Sequence, residues 1–518
     1  MRISSIVGES PPKYGFQKSE NTRAAVIVYQ HNDDPIILNT QKSSDPQALT
    51  GNKATDSESS VINVTTTKTL SEASGKFAIT LKPSRVSADL FHRITDDDWV
   101  DIVYYINKEP YHSFRGIIDE INRSVTVSNG ATVSTYTIVG RCFGKVWEAT
   151  PVWFSPYYND IITQAVSSRV LNTIPELLDA PDKAAYFYLK GFLEELASQK
   201  GVNWLPPKGM PGIETNTFLG NVEFNELLGG SRYFQNIPKR QEFNANALMP
   251  EGTLWDLAKT YSDPMFTELY VDYLPKGDPF SKNMSAPLAL GDGEMSVIMR
   301  DKPFPVLASS VPSGYENTWD RLPVFTVQPQ EMISHEVSRA GYERYNAFFV
   351  ASKLLQEDAK NYALTILPPL MDADSIRRHG FRRFDIESSV HPAGDNAPSA
   401  GGFNVEEMAI YQRQIVRDWY CLNPYMLSGT IVLGHGRPDI RIGCRLHIPG
   451  INLGSKKTIP EENYYIESVT HDWNFGIGIR TTIGVTRGWL GDSSSYYNNL
   501  AKMAARYSVP KLEEPPEL

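Results

Sequence analysis

Hydrophobic and polar positions alternate with period two along much of this chain and switch to a helical period in a few stretches. Alternation places one set of side chains on a single face of a strand, whereas a period near 3.6 gathers them on one stripe of a helix. AAVIVY from Ala24 and PIILN from Pro35 read as short strands. VINVTTTKTL from Val61 and GKFAITLKPS from Gly75 alternate clearly. Strands continue in WVDIVYYI from Trp99, YHSFRGIIDEI from Tyr111 and ATVSTYTIVGR from Ala131. The Asn-Gly pair inside VTVSNGATVSTY marks a tight hairpin, because both residues tolerate the positive φ such turns require. After a polar arm at 1–20, residues 21–150 therefore predict an antiparallel β-barrel domain, interrupted by a polar loop near 40–60.

The middle of the chain changes period. Ile161–Leu178 and Asp182–Ala197 read as helices, the second with Ala184, Phe187, Tyr188, Phe192, Leu193 and Leu196 near one face. Proline and glycine between Pro206 and Gly212 break the pattern, so 151–250 is a helical and irregular segment. At 251–370 an α+β domain is expected. Thr253 is a helix N-cap with Asp256 as the acid three residues on, and strands follow in FTELYVDYLP, in PLALGDGEMSVIMRDKPFP after a turn, and in FTVQPQEMISHEVSRAG and YERYNAFFVAS. Residues 371–403 read as a long connection. Asn404 caps the strongest helical pattern, VEEMAIYQRQIVRDWYCLN, whose stripe is Met408, Tyr411, Ile415 and Trp419, with Val416 at its margin. That helix opens a domain at 404–490 containing GTIVLGHGRPDIRIGCRLHIPG and NYYIESVTHDWNFGIGIRTTIGVTRGW, read as a second β-barrel with a hairpin across its glycine-rich turn. The tail at 491–518 reads as extended.

Composition narrows the function classes. At 518 residues the chain exceeds one compact core, and 41% hydrophobic with 21% charged residues marks a folded protein. The formal net charge of -10 argues against a protein that grips a phosphate backbone. Three cysteines, Cys142, Cys421 and Cys444, lie far apart without zinc-site spacing and read as buried free thiols. The N-terminus lacks the apolar core of a secretory signal, and no window is apolar enough to span a bilayer, so no membrane anchor is expected.

Chemistry is hard to find. GxSxG, HExxH and P-loop patterns are absent. The run Asp96–Asp98 ahead of Trp99 reads as a solvated turn, since adjacent carboxylates cannot span a cleft. Asp272, Asp292 and Glu294 are separate in sequence, and His335, His435, His447 and His471 lack ligand spacing. RRHGFRR at 377–383 is the one basic cluster, read as a solvated loop or a contact with an acidic neighbour subunit ahead of a contact with nucleic acid. The reading is of a non-enzyme with no catalytic, cofactor-binding or metal-binding residues. The residues singled out belong to interfaces or the fold: Trp255, Tyr270, Trp419, Gly443, Trp473 and Trp489.

Three stretches resemble the central baseplate hub proteins of contractile phage tails, a family that includes the T-even hub, the P2-like late control protein and the Mu-like tail hub. They are GTLWDLAKTYSDPMFTELYVDY from Gly252, RDKPF at 300–304 with TWDRLPVFTVQPQEMISHEVSRAGYERYNAFFV at 318–350, and the two glycine-rich β segments after Gly429. The resemblance implies a mainly β fold with α+β insertions, two tube-protein-like antiparallel barrels being joined by mixed middle domains. It implies a homotrimer that adapts a sixfold tail tube to a threefold central spike around a DNA passage. The implied partners are a trimeric spike protein, a tube or tube-initiator protein, and tape-measure and wedge proteins. DNA would pass without specific binding, and the place would be the tail baseplate of a virion assembled in host cytoplasm. The alternatives are a tail-associated cell-wall hydrolase and a receptor- or carbohydrate-binding tail module.

Overall fold

The computed structural model describes residues 22–31, 33–39, 57–59, 61–82, 92–128, 131–149, 151–153, 207, 210–211, 222–226, 251–253, 255–256, 259, 265–275, 290, 292–311, 319–352, 368–388, 405–452 and 458–510. The helices expected at 161–178 and 182–197 lie outside these residues.

The first half supplies β1 (Thr22–Tyr29), β2 (Ile36–Asn39), β3 (Ser57–Ser59), β4 (Val61–Thr69), β5 (Lys76–Leu81), β6 (Trp99–Ile106), β7 (Glu109–Ser128) and β8 (Ala131–Cys142). The middle supplies β9 (Pro151–Trp153), β10 (Val222–Glu226), β11 (Glu251–Thr253), β12 (Thr267–Pro275), β13 (Gly293–Asp301), β14 (Val324–Thr326), β15 (Met332–Ser338), β16 (Ala347–Ser352), β17 (Leu370–Met371) and β18 (Arg383–Ser388). β19 (Leu427–Leu433), β20 (Arg445–Ile448), β21 (Ile451–Asn452), β22 (Thr458–Ile459), β23 (Glu462–Asn474) and β24 (Gly478–Leu490) complete the strands. The described α-helices are α1 (Lys145–Ala149), α2 (Ala373–His379), α3 (Val405–Tyr420) and α4 (Ser493–Ala504).

Fourteen strands share one sheet, in the order β15-β19-β24-β23-β4-β5-β8-β7-β6-β1-β2-β3, with β20 on β23 and β14 on β20. Among the described residues this order has two ends and does not return on itself, so neither half is a closed barrel. The two-barrel expectation is thereby corrected. Alternation reveals that each strand has a buried face, but not which edges pair. Here β4 and β23, more than 400 residues apart in part of their register, satisfy each other's edge instead of closing their own halves (Ser468 opposite Thr69 through Asn474 opposite Asn63). Their polar faces interlock as well. Thr65 Oγ1 and Asn63 Nδ2 donate to Asp472 Oδ1 at 2.8 and 3.2 Å, and Thr67 and Thr470 hydroxyls meet at 3.1 Å.

The late β segment departs from expectation in a second way. β19 and β20 do not form a hairpin across residues 434–444. β19 pairs β24 and β15, whereas β20 pairs β23 and, in parallel, β14. They therefore flank opposite sides of the β23–β24 hairpin. The outer edge of β23 is divided: Glu462–Tyr465 pairs β20, and Ser468–Asn474 pairs β4.

Two further segments hold more structure than their composition signals. Within 371–403, α2 starts where Asp372 accepts from the Ser375 amide at 2.9 Å, and β18 then joins β16. Near the tail, Asp492 accepts from the Ser495 amide at 2.8 Å and starts α4, which buries Tyr496, Leu500 and Ala504. In both, an aspartate cap supplies an acceptor to an orphan helical amide. The expected cap at Thr253 forms as well: the Thr253 amide donates to Asp256 Oδ2 at 3.0 Å, and the Asp256 amide to Thr253 Oγ1 at 3.2 Å.

Apolar side chains gather in three main cores. One centres on Trp99, Phe114, Trp147 and Ile117 of the first half and recruits Trp473 from β23. A second holds Ile431, Leu446, Tyr464 and Ile483. A third packs α3 and α4 against Phe266, Phe304 and Tyr465. Cys142, Cys421 and Cys444 are buried and free, and burial raises the Cys142 thiol to about 11 and the Cys444 thiol to about 12, which keeps both protonated and unreactive at neutral pH.

Candidate functional site

β12 and β13 lie where the two halves of the large sheet meet, and they carry charges into that junction. On β13, Arg300 is fully buried. Its Nε and Nη2 donate to Glu268 Oε2 on β12 at 3.0 and 2.9 Å. Nη2 also donates to the Gly443 carbonyl at 2.7 Å and to the Tyr465 hydroxyl at 2.8 Å. The Tyr465 hydroxyl in turn donates to Glu268 Oε2 at 2.6 Å. The Arg300 guanidinium sits 5.4 Å from the centre of the Tyr270 ring. Gly443 has φ +72°, and a Cβ there would lie 2.7 Å from both Arg300 Nη2 and Tyr270 OH. Glycine is required on both counts: the conformation and the close approach.

Four residues after Glu268 on β12, Asp272 is buried and receives Lys68 Nζ from β4, with Arg441 Nη1 3.8 Å from its other oxygen. Arg441 Nη1 also donates to the Tyr273 carbonyl at 2.6 Å. A third cluster lies in the first half. Arg115 grips Asp101 through Nε and Nη2 at 2.7 and 2.8 Å, and His112 Nε2 lies 3.0 Å from the same carboxylate. Burial alone would raise the Asp101 carboxyl, but the Arg115 guanidinium and His112 overcome this and hold it well below its usual range. Burial lowers His112, opposed by Asp101; the ring is thus neutral, with Nε2–H donating. Arg115 stacks 4.9 Å from the Tyr273 ring, which ties this cluster to β12. Arg437 and Asp439 form a further bidentate pair at 2.9 and 2.8 Å.

These groups are arranged to hold elements together. Asp101, Glu268 and Asp272 are each engaged by a guanidinium or ammonium on another element, an arrangement that fixes geometry and register in a buried setting. A general acid or base needs an unengaged group facing a cleft, and Glu268, Asp272 and Asp101 are all committed. Among the described residues, no group of three or more His, Cys, Asp or Glu side chains is placed to hold a metal ion. His335 meets Tyr464 and Glu462, His447 meets Asn463, and His471 meets Thr481. Asp97 is engaged by Lys145, and Asp98 accepts from the Thr95 amide in the turn before β6.

The six residues singled out from sequence fall into three pairs. Trp255 and Trp473 lie in the first core, Tyr270 and Gly443 touch in the junction, and Trp419 and Trp489 belong to the third core. Trp419 is fully buried and its Nε1 donates to the Phe304 carbonyl at 3.2 Å. Trp489 is half-buried, edge-on to Tyr496 at 5.3 Å. The buried charges Asp101, Arg115, Arg300 and Arg441, and the half-buried Glu268, were not anticipated. Their signal is a lone charge inside an apolar run, as in WVDIVYY, HSFRGII and SVIMRD.

No family model matches this chain, and no curated protein matches it. The structure is similar over 90% of its length to the tail protein from Neisseria meningitidis MC58, covering 96% of that chain at 11% identity with a TM-score of 0.44. Over 90% of its length it is similar to the 43 kDa tail protein of prophage MuSo2 from Shewanella oneidensis, covering 97% of that chain at 11% identity with a TM-score of 0.41. Over 96% it is similar to a chain of the Francisella PdpA–VgrG complex, covering 60% of that chain at 9% identity with a TM-score of 0.40.

Proposed function

We propose that this chain is a structural component of a contractile-tail assembly, acting as its central hub. In this reading three copies form a ring. The ring joins a sixfold tail tube to a threefold spike and surrounds the passage through which DNA moves. The observation that carries the reading is the continuous sheet. Strands from residues 22–142 and 427–490 hydrogen-bond into one plate through β4 and β23, and the buried Arg300 and Asp272 clusters brace that plate from behind. Such a plate suits a part that transmits load.

The plate also has two ends. β3 and β15 are the terminal strands of the order among the described residues, and Ile333 of β15, at the irregularity in its register with β19, is 62% exposed. Open strand edges invite pairing with another chain, and closed rotational symmetry is the usual way a protein covers them. The sequence resemblance to hub proteins points the same way. The test is mass in solution, with the chain alone and with a trimeric spike protein added. A threefold assembly supports the proposal, and a single chain under both conditions refutes it.

A further inference from the structure

We propose that the basic surface around α2 is a docking site for an acidic, proline-containing segment, and that its occupant is this chain's own stretch at 511–518. The surface has two sides. One is the last turn of α2 with the loop after it, RRHGFRR at 377–383. The other is the segment 341–346 leading into β16. Asn346, fully buried, locks the two together: its Oδ1 accepts from the Arg382 amide at 2.7 Å, and its Nδ2 donates to the Gly380 carbonyl at 2.7 Å. Arg382 Nη1 also donates to the Gly341 carbonyl at 3.0 Å. Arg377 has Asp374 at 3.8 Å. Among the described residues, Arg344, Arg378 and Arg382 have no carboxylate within ion-pair distance. They surround His379, whose pKa is lowered by desolvation and then by Arg344, Arg382 and Arg378; the opposing Asp372 is itself held by Arg506 at 3.1 Å. Two aromatic rings stand beside these cations, Tyr342 at 79% and Phe381 at 54% exposure. Guanidinium groups pair with carboxylates, and exposed rings receive proline.

The path of the chain names the occupant. After α4, the Tyr507 hydroxyl donates to the Tyr345 carbonyl at 2.9 Å, and Ser508 and Met371 exchange backbone hydrogen bonds at 2.9 and 3.0 Å. The chain therefore leaves α4 between Tyr345 and Met371, alongside both segments that build the surface. Residues 511–518, next in sequence, read KLEEPPEL, with three glutamates against one lysine. Charge and position thus agree. Reach agrees as well. Glu513 and Glu514 lie three and four residues beyond Pro510, up to about 10 and 13 Å along an extended chain. The seven residues of α2 span about 10 Å, so both carboxylates come within range of Arg378 and Arg382. Pro515 and Pro516 follow and favour an extended backbone that can lie on Tyr342 and Phe381. Exposed ion pairs are individually weak, but a tether this short gives an effective concentration on the order of mM, so weak contacts suffice.

The test is disulfide trapping in the full chain carrying His379→Cys and Pro516→Cys, with the native Cys142, Cys421 and Cys444 all buried. With oxidised glutathione at low salt, a disulfide within one chain is expected, identified by mass spectrometry of the linked peptides. Adding Arg378→Glu with Arg382→Glu is expected to slow its formation about tenfold, and Glu513→Gln with Glu514→Gln to do the same from the other side. Raising salt to about 1 M should act in the same direction. Arg378 and Arg382 are exposed, so their replacement leaves the core intact, and the glutamine pair leaves the surface itself unchanged. Absence of the disulfide, or a rate that neither charge variant alters, would overturn the proposal. So would a disulfide formed between two chains, which would assign the surface to a neighbouring copy. Tight binding of a labelled single-stranded oligonucleotide to the unmodified chain, lost in Arg378→Glu with Arg382→Glu, would also overturn it, by showing an open nucleic-acid surface.

Discussion

Gly443 shows how a single position can hold an architecture. Its φ of +72° is costly for any residue with a Cβ, and the space such an atom needs is filled by Arg300 and Tyr270. Gly443→Ala is expected to destabilise the chain by about 2–4 kcal/mol, from left-handed strain plus overpacking, measured by urea denaturation. Arg300→Met tests the cluster from the other side. It leaves Glu268 and Tyr465 without their shared donor, and an expected loss of about 3–5 kcal/mol would show that the pair was satisfied rather than incidental. The buried histidines give the junction a pH signature. His112 and His471 both titrate below the ordinary histidine value in the folded chain, burial being the leading cause. As pH falls below about 6.5 the unfolded chain takes up protons that the folded chain refuses, so stability falls with pH down toward the folded values. For His471, pushed down to about 3, the slope is expected to approach about 1.4 kcal/mol per pH unit, with His112 adding in the same direction. His471→Gln should reduce it, and an unchanged slope in that variant would show that the ring titrates normally.

At the scale of elements, the decisive contact is the β4–β23 ladder. Its threonine-rich strand, VINVTTTKTL, offers few large apolar groups, and its partner was not visible from local pattern. Edge pairing between strands so far apart depends on which edges remain free after folding, and alternation carries no record of that. Local signals fared better where the chemistry is local. The Thr253–Asp256 cap and the burial of Ile415 and Trp419 on α3 follow from residues a few positions apart. The hairpin expected across 434–444 failed because its glycines serve close packing against β13 and Ile479 instead of a reversal between paired strands. Proline at Thr67 removes a ladder donor in the middle of the junction and is expected to cost about 3 kcal/mol or more. Hydrogen exchange should then accelerate together in β4 and in Ser468–Asn474 of β23. Acceleration confined to β4 would mean that the two halves are held by other contacts.

For the whole molecule, the corrected sheet changes the meaning of the chain's two β-rich halves. They are not separate closed units on a tether but parts of one plate, braced by buried ion pairs and ending in two strand edges. Ile333→Lys places a charge on the β15 side of that plate at an exposed position, where the effect on the folded chain is expected to stay within about 0.5 kcal/mol. Weakened self-association at unchanged Tm would identify this edge as the contact between copies. The central claim, that three plates close into a ring, is tested most directly by light scattering on the purified chain with and without spike protein. The account predicts an assembly containing three copies of the 58.1 kDa chain, and a lone chain in both conditions would contradict it.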